Sequence, residues 1–326
     1  MEMRIVVVAP PSVRIPVTSY GGIELAAQDM ATELSRRGHE VTLMGNLEDG
    51  PSPGGWTGKR ILSEADPLTS RNYELLSPAD VVLDFTHSKV TRLAQTKRYR
   101  AVVMWTDQRG PRGQNIYPSE AVREAFQDPT APVIPLGIPL DGIPLPDPVP
   151  GRFVCLGRIA PYKGQLDAIR IAREAGVKLT VAGHTGSYAD AYYTLKVRRQ
   201  CAMAGFEFIE DPPNLNALLD GASGLLHLHN WIESFSLVAA QAMLRGVPIL
   251  TTDVGAPQEF VRRFDGGCIV PLKGVYAGTR DIPGVVSFFE TNWKGRRDGI
   301  TKRARGYFDV RLVAERYEGL YAGEAL

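Results

Sequence analysis

Short runs of β-branched residues alternate with amphipathic stretches from one end of the chain to the other. The first run, Met3 to Ala9, is apolar at consecutive rather than alternate positions, which predicts a strand buried on both faces of a parallel sheet. A loop holding Gly21 and Gly22 follows. From about Ile23 to Arg37 the residues Leu25, Ala26, Met30, Ala31 and Leu34 fall on one helical stripe, with Gly38 as the stop. His39 to Met44 returns as the next strand and completes a βαβ unit. Apolar runs at Val81 to Leu83, Ala101 to Met104 and Val133 to Ile134 predict further strands, each ending in a polar or glycine-containing loop.

Five prolines crowd the segment from Leu136 to Gly151, and Pro135 stands just ahead of it. That is too many for a helix or a central strand, so the segment predicts an interdomain linker. The pattern then restarts. Arg152 to Leu156, Lys178 to Ala182, Phe206 to Ile209, Gly224 to Leu228 and Pro248 to Thr251 read as strands. Gln165 to Ala175, Asp190 to Ala204 and Ser236 to Arg245 read as helices, stopped by Gly176, Gly205 and Gly246. Two successive α/β halves are implied, each a doubly wound parallel sheet whose ligands sit outside the carboxyl ends of its strands.

Composition agrees with this division. A chain of 326 residues, 44% hydrophobic, has material for two domain cores. Its 37 basic and 36 acidic residues leave a net charge of +1, which argues against nucleic acid as the main partner. Cys155, Cys201 and Cys268 are odd in number and far apart, matching neither a disulfide framework nor a zinc site, and read as thiols of a cytoplasmic protein. The apolar stretch from Ile5 to Pro11 is too short and too quickly broken by prolines for a signal segment, and no 18 apolar residues run together, so neither a signal segment nor a transmembrane span is expected.

Several common chemistries lack their residues. There is no Gly-x-Ser-x-Gly elbow, His-Glu-x-x-His helix, Walker A loop, Gly-x-Gly-x-x-Gly fingerprint or Asp-x-Asp pair, and no metal or other cofactor is expected. Loops suited to a phosphorylated ligand remain. Arg158 and Lys163, between Gly157 and Gly164, leave a strand and precede a helix, where they could grip an anion or simply be solvated. Glu233 precedes a helix start at 235 to 237, so it could accept sugar hydroxyls or only complement the helix dipole.

These loops resemble the donor-binding half of retaining glycosyltransferases of family 4, which have the GT-B fold. The resemblance lies in Gly157-Arg158-x4-Lys163-Gly164, in Glu233-Ser-Phe-Ser-x4-Gln241 through Pro248, and in Thr252-Asp-Val-Gly-x3-Glu259. Gly21-Gly22-Ile-Glu24 and Arg37 to Val41 are similar to the amino-terminal half of the same family. The resemblance implies two facing Rossmann-like domains with a cleft between them: residues 1–145 on the acceptor side, residues 146–304 for the donor, and a final helix from about 305 to 326 packing back on the first. It also implies a nucleoside diphosphate sugar donor, linked to UDP, GDP or dTDP, and a hydroxyl acceptor.

By the same resemblance, Arg158 and Lys163 would bind the diphosphate, and Glu233 with Ser234 and the amides of Phe235, Ser236 and Leu237 would hold the sugar and its phosphate. Gly21 and Gly22 would let backbone approach a phosphate, and the loop at Pro212 would flank the base. His87 resembles a histidine near sugar and acceptor, with Trp105 and Asp107 on the acceptor side. Gln241 stands where the family has a second glutamate for the ribose, Ser236 where it has glycine, and Trp105-Thr106 where many members have a histidine. A sugar-nucleotide epimerase and a non-catalytic nucleotide-sugar binder are the alternatives. His39 reads as a junction residue, while His227 and His229 alternate along a strand end, so one could line the donor site. Lys89, Arg92, Lys97, Arg98 and Arg100 form a basic run that reads as a solvated helix face or as a peripheral contact with an anionic acceptor or membrane.

Overall fold

The computed structural model describes residues 2–18, 21–94, 98–104, 107–186, 189–273 and 283–322. The chain divides into two compact units, Met1–Leu140 with Tyr307–Leu326, and Asp141–Gly306.

The first unit is built on a seven-stranded sheet. Its central strand β1 (Arg4–Val8) lies between β2 (Glu40–Gly45) and β5 (Val81–Asp84), parallel to both, with Ile5 opposite Val41 and Val81. Beyond β2 come β4 (Thr57–Arg60) and the short antiparallel β3 (Gly50–Pro51); beyond β5 come β6 (Tyr99–Val102) and β7 (Asn115–Ile116). Ile5, Val6, Val7 and Val8 are all buried, as consecutive apolar positions require when both faces of a sheet are covered. Helix α1 (Gly22–Arg36) makes the crossover from β1 to β2, burying Ala26, Ala27, Met30, Ala31 and Leu34. Two short helices, α2 (Ser70–Leu76) and α3 (Glu120–Ala125), precede β5 and follow β7. Val133 and Ile134 form no strand; Val133 makes a single bridge to Tyr117.

The second unit holds six parallel strands in the order β10, β9, β8, β11, β12, β13. These are β8 (Arg152–Leu156), β9 (Lys178–Gly183), β10 (Glu207–Glu210), β11 (Gly224–His227), β12 (Ile249–Thr252) and β13 (Gly267–Val270). The helices α4 (Gln165–Ala175), α5 (Ala191–Ala204), α6 (Leu237–Leu244) and α7 (Ala256–Phe264) alternate with them. Asp190 caps α5 by accepting the Tyr193 amide at 2.7 Å.

After α8 (Pro283–Glu290), α9 (Arg297–Phe308) and α10 (Val310–Ala322) close the chain, and the last of these belongs to the first unit. Ile138, at the start of the proline-rich segment, exchanges backbone hydrogen bonds with Phe308 and Val310. Helix α10 is fastened to α1 through Glu318, which accepts from Arg37 at 2.7 and 2.9 Å and lies 2.9 Å from His39 Nε2. The Met3 amide approaches His39 Nδ1 at 3.2 Å, so that nitrogen accepts and Nε2 carries the proton toward Glu318. His39 is thus a junction residue that ties the start of β1 to the carboxyl-terminal helix.

The Arg37 guanidinium holds the Glu318 carboxyl below its ordinary range, so the contribution of this link exists above the unfolded pKa and fades as pH falls through the folded one. Glu318→Ala should lower the unfolding free energy of the first unit by about 1–2 kcal/mol at neutral pH and by less in acid, measured by urea unfolding. An unchanged midpoint at neutral pH would show that the link contributes nothing.

Candidate functional site

In each sheet the central strand has its sequence-adjacent partner on one side and a later strand on the other, so two loops diverge at its carboxyl end and leave an opening. In the second unit that strand is β8, and the loops are residues 157–164 and 228–236. They meet closely. Gly164 has φ 73°, and a Cβ there would lie 1.9 Å from the Leu228 carbonyl oxygen, so a side chain would separate the loops. The Asn230 amide donates to the Tyr162 carbonyl at 2.9 Å and completes the junction.

The junction sets Lys163 against Glu233 as an ion pair, each side chain less than a fifth exposed. Trp231 Nε1 donates to the same carboxylate oxygen at 2.9 Å, and the Lys163 ammonium stands 5.2 Å over the Trp231 ring. Tyr162 packs on Trp231 at 4.9 Å and accepts from Arg158 Nη1 at 3.0 Å. Burial pushes the Glu233 carboxyl upward, but the Lys163 ammonium outweighs it and the group is held at about 2. From behind, the Ala256 amide donates to the Glu233 carbonyl at 2.8 Å, and a Cβ on Gly255 would strike the Glu233 backbone nitrogen at 2.5 Å. The two glycines therefore permit a carboxylate and an ammonium to share one small space.

Helix α6 starts at the same edge. Ser236 sits before it with a left-handed φ of 67°, a conformation glycine would adopt without cost, and its hydroxyl caps the Ala239 amide at 3.3 Å while lying 3.0 Å from His227 Nε2. Burial lowers the pKa of both His227 and His229, leaving them neutral, and His229 has no exposed surface. His229 is thus a support behind Glu233 and lines no open space. Phe235 turns into the core against Phe260 at 5.3 Å, so only its backbone is available to a ligand, whereas Ser234 and Leu237 are half-buried at the edge. Gln241 lies one turn into α6, and its amide oxygen accepts from Arg245 Nη1 at 2.5 Å, with Arg245 Nε bonded to Asp220 at 2.7 Å. Pro212 lies in the loop after β10, where Asp211 pairs with His184 at 2.7 Å.

In the first unit the corresponding strand is β1; Gly21 ends the loop after it, with Gly22 and Glu24 in the first turn of α1, and His87 lies in the loop after β5. Gly21 has φ 143°, and a Cβ there would press on Val13 at 2.9 Å. Asp84 organises the turn after β5: it accepts from the Thr86 amide and hydroxyl at 2.8 and 2.6 Å and from Tyr99 at 2.7 Å. His87 Nδ1 lies 2.6 Å from Asp107 Oδ1, and the other Asp107 oxygen accepts from the Met104 amide at 2.9 Å and from Lys89 at 3.1 Å.

Asp107 and Lys89 have no exposed side-chain surface, whereas the His87 ring is 47% exposed. Asp107 can therefore act on an acceptor only through His87. Lys89 is no part of a solvated face either: its ammonium also donates to the carbonyls of Thr86 and of Val102, the latter at 2.7 Å. The basic run is not one helix, since Arg92 lies in a short turn, Val90–Ala94, and Arg100 in β6. Glu64 accepts the amides of His87 and Ser88 at 2.8 and 2.7 Å, and Glu24 is buried, which raises its carboxyl pKa against the pull of His87. Trp105, Thr106 and Lys97 lie outside the described residues.

Glu64, Tyr162, Trp231 and His184 join these clusters without having been marked by the motifs, and Lys89 joins them as a buried group where a solvated face or surface contact was expected. Among the described residues no group of three His, Cys, Asp or Glu side chains is placed to hold a metal ion, and no helix is long and apolar enough to cross a membrane.

Residues 146–277 match the family model described as glycosyl transferases group 1. No curated protein matches the chain. Among solved structures the chain is similar to AviGT4, a glycosyltransferase involved in avilamycin A biosynthesis, with a TM-score of 0.71 and 21% identity over 98% of each chain. It is also similar to a glycosyltransferase from Rickettsia africae, with a TM-score of 0.78 and 13% identity over 99% of this chain and 98% of that one. HepE from Anabaena, solved in complex with UDP-glucose, gives a TM-score of 0.70 and 16% identity over 99% and 100%. The fold is GT-B, and with the domain match the chain is a glycosyltransferase.

The hydrogen bond to Asp107, with its charge and that of Glu64, raises the His87 pKa despite burial and the Lys89 ammonium. The stabilisation from protonating His87 is thus full below the ordinary histidine value of about 6.5 and lost as pH rises through the folded-state value. In an NMR titration the His87 ring should titrate above that ordinary value, and Asp107→Asn should bring the midpoint down. A midpoint that does not fall would show that Asp107 does not govern the ring.

Proposed function

We propose that this glycosyltransferase is a retaining, metal-independent enzyme of family 4 that moves a sugar from a nucleoside diphosphate donor to a hydroxyl acceptor. The observation that carries the reading is the Lys163–Glu233 pair at the opening beside β8, with Arg158 on the same loop. A diphosphate brings the negative charge that lets Lys163 exchange one anionic partner for another. Glu233, released from part of that pairing, can then accept hydroxyl protons from the sugar. HepE, bound to UDP-glucose in its crystal structure, supports a donor of this class.

Catalysis on this reading is electrostatic. As the anomeric C–O bond breaks, its electron pair goes to the leaving phosphate oxygen, where Lys163, Arg158 and the amides at the start of α6 stabilise the charge. The acceptor oxygen forms its bond on the same face, and its proton passes to that phosphate oxygen. The cations on the loop supply charge that a divalent ion would otherwise bring, so no metal enters this scheme. His87, held through Nδ1 by Asp107, is the group of the first unit that would meet a hydroxyl acceptor there, through Nε2.

The test is turnover of UDP-, GDP- and dTDP-sugars with an acceptor panel in excess EDTA, with the product anomer read by NMR. Turnover with the donor's anomeric configuration retained is expected, and Lys163→Ala should lower kcat/KM roughly 10- to 150-fold. Inversion, dependence on added Mg²⁺ or near-normal kinetics in the variant would each contradict the reading. Release of epimerised sugar without acceptor would instead indicate an epimerase.

Gln241 carries a finer expectation. Its oxygen already accepts from Arg245, so a ribose diol meets the amide mainly through its NH₂ group, with no carboxylate left unpaired when the 2′-hydroxyl is missing. Relative kcat/KM for UDP- and dTDP-linked forms of one sugar should differ less in the wild type than in Gln241→Glu, by roughly ten-fold. Equal discrimination in both would remove Gln241 from nucleotide choice.

A further inference from the structure

Away from both strand openings, the crossover helices α4 and α5 on either side of β9 enclose a groove of about 470 Å³. Leu166, Ile169 and Met203 give it apolar walls, and basic side chains from both helices line it as well. Arg170 is held by Asp167 at 3.4 Å and Glu174 at 3.8 Å, so the local positive charge rests on Arg173, Lys196 and Arg199, which form no ion pair among the described residues. Helix α5 itself contains three basic residues and no acidic one. One of the three, Arg198, is turned aside to Glu210 at 2.6 Å.

The outward stripe of α5 is also apolar. Tyr192, Leu195 and Met203 are 70%, 58% and 67% exposed, and at 100° per residue they fall on the same stripe as Lys196 and Arg199. Water gains nothing from three large apolar side chains on one helix face, and an anionic partner without apolar depth would leave them exposed. A lipid surface takes both: side chains such as tyrosine and leucine enter the headgroup layer while lysine and arginine extend to the phosphates.

We infer that this face of α4 and α5 docks on an anionic lipid bilayer, with Tyr192, Leu195 and Met203 entering the interface and Arg173, Lys196 and Arg199 meeting phosphate headgroups. The charge complementarity selects this occupant over a neutral bilayer. The surface is distinct from the basic run at residues 89–100, whose Lys89 is buried in the first unit.

The experiment is flotation of the full chain with vesicles of phosphatidylcholine alone and of phosphatidylcholine with roughly a third phosphatidylglycerol, at low and high salt. It requires neither donor nor acceptor, so its outcome is independent of the proposed activity. Binding to the anionic vesicles is expected, weakened by salt, and lowered about ten-fold or more by Lys196→Glu with Arg199→Glu. Tyr192→Ser with Leu195→Ser should lower it as well, and the milder Lys196→Gln with Arg199→Gln serves if the charge reversal does not fold. Absence of binding, equal binding to the neutral vesicles, or anionic binding that none of these substitutions changes would overturn the inference. So would a dimer in light scattering that the same substitutions dissolve, because a second copy would then cover the face.

Discussion

The contact of Gly164 with the Leu228 carbonyl is the constraint on which the chemistry of the second unit depends. Two loops from neighbouring parallel strands converge there with no room for a side chain, and that approach delivers Lys163 to Glu233. Burying either charge alone would be costly, and together they offset one another with Trp231 adding a hydrogen bond. Such a pair contains an ammonium that a more highly charged anion can recruit. The neutral histidines behind it, His227 and His229, contribute polarity without a competing charge.

The first unit uses the same topology for different chemistry. The opening beside β1 is bounded by the α1 start and by the turn after β5, and the exposed group there is an imidazole. Behind His87 the structure places a carboxylate and behind that an ammonium, both buried and both fully hydrogen-bonded. This order fixes which ring nitrogen faces inward and leaves the other outward. One unit therefore sets cations at the end of its central strand, and the other a single oriented imidazole.

Much of this was legible in the residues. Consecutive β-branched positions identify strands buried on both faces, glycines mark where α4, α5 and α6 stop, and the loops around Lys163 and Glu233 announce themselves by following one element and preceding another. The spacing of Gln241 and Arg245, one helical turn apart, was also open to reading as a side-chain pair. Lys89 was not legible, because its burial depends on the Val102 carbonyl of a neighbouring strand and on Asp107 eighteen positions away. Trp231 gave no signal for a related reason: whether an aromatic in a loop faces the core or a carboxylate depends on how two loops meet. Val133 and Ile134 looked like a strand but lack a partner beyond one bridge, and hydropathy alone cannot supply one.

The central claim is that the opening beside β8 is a diphosphate site whose charge comes from Lys163. Thermal unfolding with nucleosides and with nucleoside diphosphates of each base measures this directly, since a ligand at 100 times its Kd adds about 2.7 kcal/mol of stability. The account predicts that at least one nucleoside diphosphate raises the unfolding temperature, that its nucleoside does not, and that Lys163→Met abolishes the rise. No stabilisation by any diphosphate, or a rise that persists in Lys163→Met, would contradict it.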